Sequence, residues 1–141
     1  MAYVKAFIGG LLSTLTFHQG LLAVFYWAGA APFAPYNMSP TWPFHVPEVI
    51  SLAFWGGVWG MVLWGFLRSA KSSSSYWWMA LLIGAVGPTL VAIFVVLPLK
   101  GRAIAAALHV KTIVGGLLLN GAWGLGVGVF MRLFPPRRAA A

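Results

Sequence analysis

Apolar residues gather in four long runs, near 6–28, 47–68, 76–99 and 109–133, separated by stretches richer in proline, serine or basic residues. A run of roughly 20 residues carries an α-helix across about 30 Å of hydrocarbon. A backbone in lipid must satisfy its own hydrogen bonds, so each run is either a helix or part of a closed barrel. Four such runs are too few and too apolar to close a barrel. The pattern predicts an all-α polytopic membrane protein, a compact bundle of four transmembrane helices forming a single domain over 1–141. The first run begins after Lys5 and ends near Ala28-Gly29-Ala30, which imitates a signal peptide. It exceeds the roughly 7–15 apolar residues of such a peptide and is expected to be kept as the first span.

The connections differ from one another. The first, about 29–46, holds Pro32, Pro35, Pro40 and Pro43 among Phe33, Tyr36, Trp42, Phe44 and His45, with no Lys or Arg. Its rings favour the headgroup level and predict a folded cap. Pro47 suits the first turn of the second helix. The second connection carries Arg68, Lys71 and the run Ser72–Ser75, and the third, about 100–108, is basic and alanine-rich.

Composition narrows the class further. Charged residues are 7% of the chain and hydrophobic residues 61%. A soluble domain is about 25% charged, so this chain could not cover a water-facing surface. Lys plus Arg is 9 and Asp plus Glu is 1, a formal net charge of +8. Those cations sit between or at the ends of the apolar runs, where they set topology and meet anionic headgroups rather than nucleic acid. With the N-terminus inside, Lys5, Arg68, Lys71, Arg132, Arg137 and Arg138 lie on the cytoplasmic side against Lys100, Arg102 and Lys111 outside. That bias predicts both termini in the cytoplasm and a multi-pass protein of a bacterial-type inner membrane. There are no cysteines, which excludes disulfides and thiolate-ligated zinc or iron–sulfur sites.

Small residues form stripes. Gly9, Ser13, Thr16, Gly20 and Ala23 repeat at four- and three-residue intervals in the first helix, and Trp27 ends the pattern. Gly116, Asn120, Gly124 and Gly128 repeat every four residues in the last. The middle helices add Gly56, Gly60, Ala80, Gly84 and Pro88, with a kink expected at Pro88. Such stripes let helices approach closely where no hydrophobic force drives association. Residues 5–12 also resemble 111–118, a repeat that would run inverted and is the sequence ground for a transporter reading.

Polar groups within spans are the functional candidates. His18 and Gln19 lie mid-way along the first helix, near Thr14, and Asn120 lies at similar depth in the last. On a regular helix His18 points away from the Gly9–Ala23 stripe, so its face must be covered by a helix, a partner subunit or a cofactor. A bond to Asn120 or to a backbone carbonyl, a proton-relay role, and ligation of a haem or chlorophyll-type pigment are the readings open to it. His45 and His109 fall near the outer ends of the second and fourth helices. They could join Glu48, the one acidic residue, in a titratable cluster on the periplasmic side. Glu48 alone also suits a helix N-terminus. There is no Ser-His-Asp set, no carboxylate pair, no phosphate-binding loop and no ligand cluster for a metal, so no catalytic residue is expected.

Trp78-Met79-Ala80-Leu81-Leu82-Ile83-Gly84-Ala85, then Pro98-Leu99-Lys100-Gly101, then His109 before a glycine-rich helix, resembles the YagU-like small inner-membrane proteins. The resemblance implies a fold and a location rather than an activity. Together these readings lead to the expectation of a non-catalytic membrane subunit or scaffold packing against partner membrane proteins, a second copy or lipid. The alternatives are a small oligomeric transporter or channel and a haem or pigment binder through His18.

Overall fold

The computed structural model describes residues 1–101 and 103–134. Arg102, Arg137 and Arg138, counted above toward topology, lie outside the described residues. Four helices are long and apolar enough to cross a membrane: α1 (Ala2–Trp27), α2 (Glu48–Leu67), α3 (Ser73–Leu99) and α5 (Val110–Leu133). A short helix α4 (Ile104–Ala107) lies between the last two. Two-residue strands β1 (Pro40–Thr41) and β2 (Val46–Pro47) pair antiparallel in the first connection.

Local chemistry explains the helix ends. Gly29, at φ +72°, lets the chain leave α1 in a left-handed turn. The Ala30 N–H then returns to the Phe25 carbonyl at 2.8 Å and the Gly29 N–H to the Tyr26 carbonyl at 3.0 Å. Pro47 precedes α2, whose first amides donate outward, Glu48 to the Ser39 carbonyl and Val49 to the Asn37 carbonyl, each at 3.0 Å. At the start of α3 the Ser72 hydroxyl accepts from the Ser75 amide at 3.1 Å, which begins that helix earlier than its apolar run suggests.

Two of the helices contain a wider π turn. In α3 it spans Ala92–Val96, and Pro88 itself continues within regular helix. The irregularity expected at Pro88 thus falls one turn later. Pro98 follows it, and a proline ring clashes with the carbonyl four residues back in a regular helix. Widening the preceding turn relieves that clash. The second π turn, Thr14–His18, lies in the middle of α1. There the Thr14 hydroxyl donates to the Gly10 carbonyl at 3.0 Å and the Thr16 hydroxyl to the Leu12 carbonyl at 2.8 Å. Hydroxyls that bond back to the fourth carbonyl before them compete with the helix ladder and loosen it.

The spans assemble as two close antiparallel pairs, α1 with α2 and α3 with α5, joined along α1 and α5. In the first pair Gly10 meets Gly56 and Gly60, and in the second Gly84 meets Gly124. At both crossings the facing atoms are backbone, closer than any side chain would allow. Gly9 and Ser13 turn instead to α5, with Gly9 against Phe130 and the Ser13 hydroxyl donating to the Trp123 carbonyl at 2.6 Å. Gly116 packs against Thr89. Gly20 is a correction to the sequence reading, because nothing lies where its side chain would be. The seven-residue stripe assumes an uninterrupted helix. The π turn inserts an extra residue before Gly20 and rotates it off the packing face.

The core gathers Ala6, Leu63, Leu67, Tyr76, Ala80, Trp123, Val127 and Met131. Large apolar side chains such as Val24, Phe54, Phe66, Leu82, Leu90 and Leu118 point outward, as lipid-facing positions do. The free ends of α1 and α5 share one end of the bundle, since Gly9 lies against Phe130. At that end Arg132 stacks over the rings of Tyr76 (4.4 Å) and Trp77 (4.9 Å) and donates to the Ser73 hydroxyl at 3.1 Å. Arg68 reaches the Tyr3 hydroxyl at 3.4 Å.

Candidate functional site

The polar residues of the spans fall into separate groups. Asn120 donates from its amide to the Thr89 hydroxyl at 2.9 Å, so it ties α5 to α3. It makes no bond to His18, the pairing that similar depth had suggested. Depth along a helix does not fix direction around it, and Asn120 shares the face of Gly116 and Gly124 that meets α3. Replacing Asn120 with Leu is therefore expected to cost only about 0.6 kcal/mol of bundle stability. Reversible unfolding in mixed detergent micelles would measure it. Thr14 is likewise occupied, by the Gly10 carbonyl.

His18 and Gln19 are covered from within the chain. The first connection folds back along α1 and brings Tyr36 and Asn37 beside the middle of that helix. Tyr36 sits at φ +54°, a conformation uncommon for a bulky residue. Two bonds hold it there: its N–H donates to Gln19 Oε1 at 2.7 Å and its hydroxyl to the Leu15 carbonyl at 2.8 Å, inside the π turn. The turn and the loop therefore support each other. A carbonyl loosened from the helix ladder is supplied with a donor from the loop.

Because of this fold-back, α2 begins level with Gln19, about eight residues or ~12 Å short of the end of α1. A recess of about 210 Å³ forms where α1, the loop, α2 and α5 meet. His18, Gln19, Asn37 and Glu48 supply its polar wall, and Leu22, Phe33, Val49, Leu52 and Leu119 are among its apolar lining. Asn37 is itself held, its Oδ1 accepting from the Ser39 amide at 3.0 Å. That fixes its amide to donate to Glu48 Oε2 at 2.6 Å. His18 Nδ1 is buried and has no hydrogen-bond partner. Buried polar atoms are nearly always paired, so one left over calls for an explanation.

Glu48 also lines a second recess of about 380 Å³ with Ser39, Pro40, Thr41, Trp42, Leu99 and Lys100. The titratable cluster expected from sequence does not assemble in that form. Glu48 bonds Asn37, while His45 and His109 are both exposed. His45 sits at φ +53° in the β1–β2 turn, and His109 caps α5. Among the described residues no three His, Cys, Asp or Glu side chains group to hold a metal ion. At about 210 Å³ the His18 recess is smaller than pockets for drug-sized ligands, which measure about 300–1,000 Å³.

Tyr36 and Asn37 are the residues that sequence reasoning passed over as site-formers. The signal for Asn37 was its place two residues before Ser39, where an Asn side chain makes a local turn. Nothing local could show that Tyr36 reaches Leu15. No protein-family model, curated protein or solved structure matches this chain. The likeness to YagU-like proteins rests on its residues alone.

Proposed function

We propose that the protein is a non-catalytic subunit or scaffold of a bacterial-type inner membrane, both termini cytoplasmic, working by contact with a partner membrane protein. What carries this reading is how the bundle interior uses its polar groups. Ser13, Thr14, Tyr76, Thr89, Asn120 and Trp123 each bond to another group of the bundle. Glycine crossings bring the backbones together between them. Among the described residues these bonds occupy the polar groups of the core, His18 Nδ1 apart, and leave no continuous polar path for a solute. Among the described residues it also presents no nucleophile beside a base. Such a body acts through its surface.

The surface most suited to a partner is the end formed by the first connection. Trp42 and Phe44 are 83% and 84% exposed at the tip of the β1–β2 turn, and Phe33 and Met38 are exposed beside it. Aromatic residues are the usual anchors of interfaces. Basic side chains at the opposite end, Arg68, Lys71 and Arg132, support its assignment to the cytoplasm. The test is chemical cross-linking in intact membranes followed by native mass. The expected result is a discrete complex larger than the monomer, with yield reduced severalfold by the pair Trp42→Ser and Phe44→Ser. A lone monomer, before and after cross-linking, would overturn the reading.

A further inference from the structure

The recess beside His18 holds Glu48, whose carboxylate is bonded within the chain to Asn37 at one oxygen. Its geometry is set by the chain and does not depend on a partner, so the argument stands apart from the subunit reading. Glu48 is the chain's one acid, and a carboxylate set among apolar walls is costly unless a positive or donating group meets it. Asn37 donates to one of its oxygens, and among the described residues it is the carboxylate's one hydrogen-bond partner. Among the described residues no Lys or Arg lines this recess. Lys100 lines the other recess, which Glu48 also lines. The imidazole of His18 forms part of the wall, its Nδ1 sealed within the fold, and the exposed ring of Phe33 belongs to the lining.

We propose that this recess binds a small organic cation, a short-chain ammonium whose N–H groups bond Glu48. Three features select that class. The charge of the lining is negative, so an anion is rejected. The aromatic ring of Phe33 in the lining suits a cation over its face. The volume, about 210 Å³, falls below that of pockets for drug-sized ligands, about 300–1,000 Å³, and admits only a short apolar tail. The tail lies on Leu22, Leu52 and Leu119. Low local dielectric at the membrane edge makes the Glu48–ammonium contact stronger than it would be in water.

The test is calorimetric titration of the purified, detergent-solubilised chain with n-butylammonium at neutral pH, against n-butanol, butyrate and tetrabutylammonium. The expected result is saturable binding of n-butylammonium alone. Glu48→Gln should weaken it at least tenfold. Asn37→Ala, a change at an exposed loop position, should weaken it severalfold by releasing the carboxylate. Lys100→Ala should leave it equal or tighter, because it removes a competing cation next door. Thermal unfolding of each variant would confirm that it is folded. Equal response to the ammonium and to butanol, or an unchanged titration in Glu48→Gln, would overturn the proposal. Neither outcome would bear on the cross-linking test of the subunit reading.

Discussion

Gly10→Ala is expected to destabilise the bundle by about 3 kcal/mol, although alanine is the better helix former. A methyl group at Gly10 would lie 3.0 Å from the Gly60 Cα and closer still to the Gly56 carbonyl oxygen. Both obstacles are backbone, so no side chain can swing aside and the two helices must separate. Gly124→Ala should behave alike, since its added carbon would meet the Gly84 Cα at 2.9 Å and the Ala80 carbonyl more closely. Gly20→Ala is the internal control. Nothing lies within 4 Å of its added carbon, so the outcome is neutral or a gain of up to about 1 kcal/mol from helix propensity. Reversible unfolding in mixed micelles, followed by circular dichroism, would compare them. If the Gly10 and Gly20 variants melted alike, the packing of α1 on α2 would be wrong.

Trp123→Ala is expected to cost about 3–5 kcal/mol. The side chain is 3% exposed and fills the centre where α1, α2, α3 and α5 converge. For a bundle packed in lipid the loss would be one of packing and bonding rather than of burial from water. Its indole N–H donates to the Gly10 carbonyl at 3.0 Å, while its own carbonyl accepts from the Ser13 hydroxyl at 2.6 Å. Gly10 is thus pinned by α5 at the point where it crosses α2. Trp123→Phe keeps most of the ring and loses the donor, so it should cost about 1 kcal/mol. A double-mutant cycle of Trp123→Phe with Ser13→Ala would read the coupling of the two bonds. A Trp123→Ala variant as stable as the parent would contradict this role.

Much of this architecture could be read from the chain. Pro47 and Glu48 mark the start of α2, and the small residues at 56, 60, 80, 84 and 124 mark real crossings. The assignment of faces was less legible. Gly9 and Gly10 are neighbours, yet Gly9 serves α5 and Gly10 serves α2. A periodic pattern shows that a face is small without showing which helix it meets. The π turn was invisible because its cause is partly distant. Thr14 and Thr16 compete locally, but Tyr36 reaches it from a loop about twenty residues on. That turn displaced Gly20 from its stripe. It also accompanies the fold-back that covers His18 from within the chain, so the need for an outside cover inferred from a regular helix is answered by Phe33, Ala34 and Asn37.

Whether the interior is closed, with function at the surface, is directly measurable because the chain has no native cysteine. Single cysteines at Ser13, Asn120, Ser69 and Trp42 would be tested in intact membranes with a charged, membrane-impermeant thiol reagent. Labelling is expected at Trp42 from the outside, at Ser69 only after the cytoplasmic face is opened, and at neither Ser13 nor Asn120 from either side. Rapid labelling at Ser13 or Asn120 in a folded protein would reveal a water path through the bundle and contradict the account.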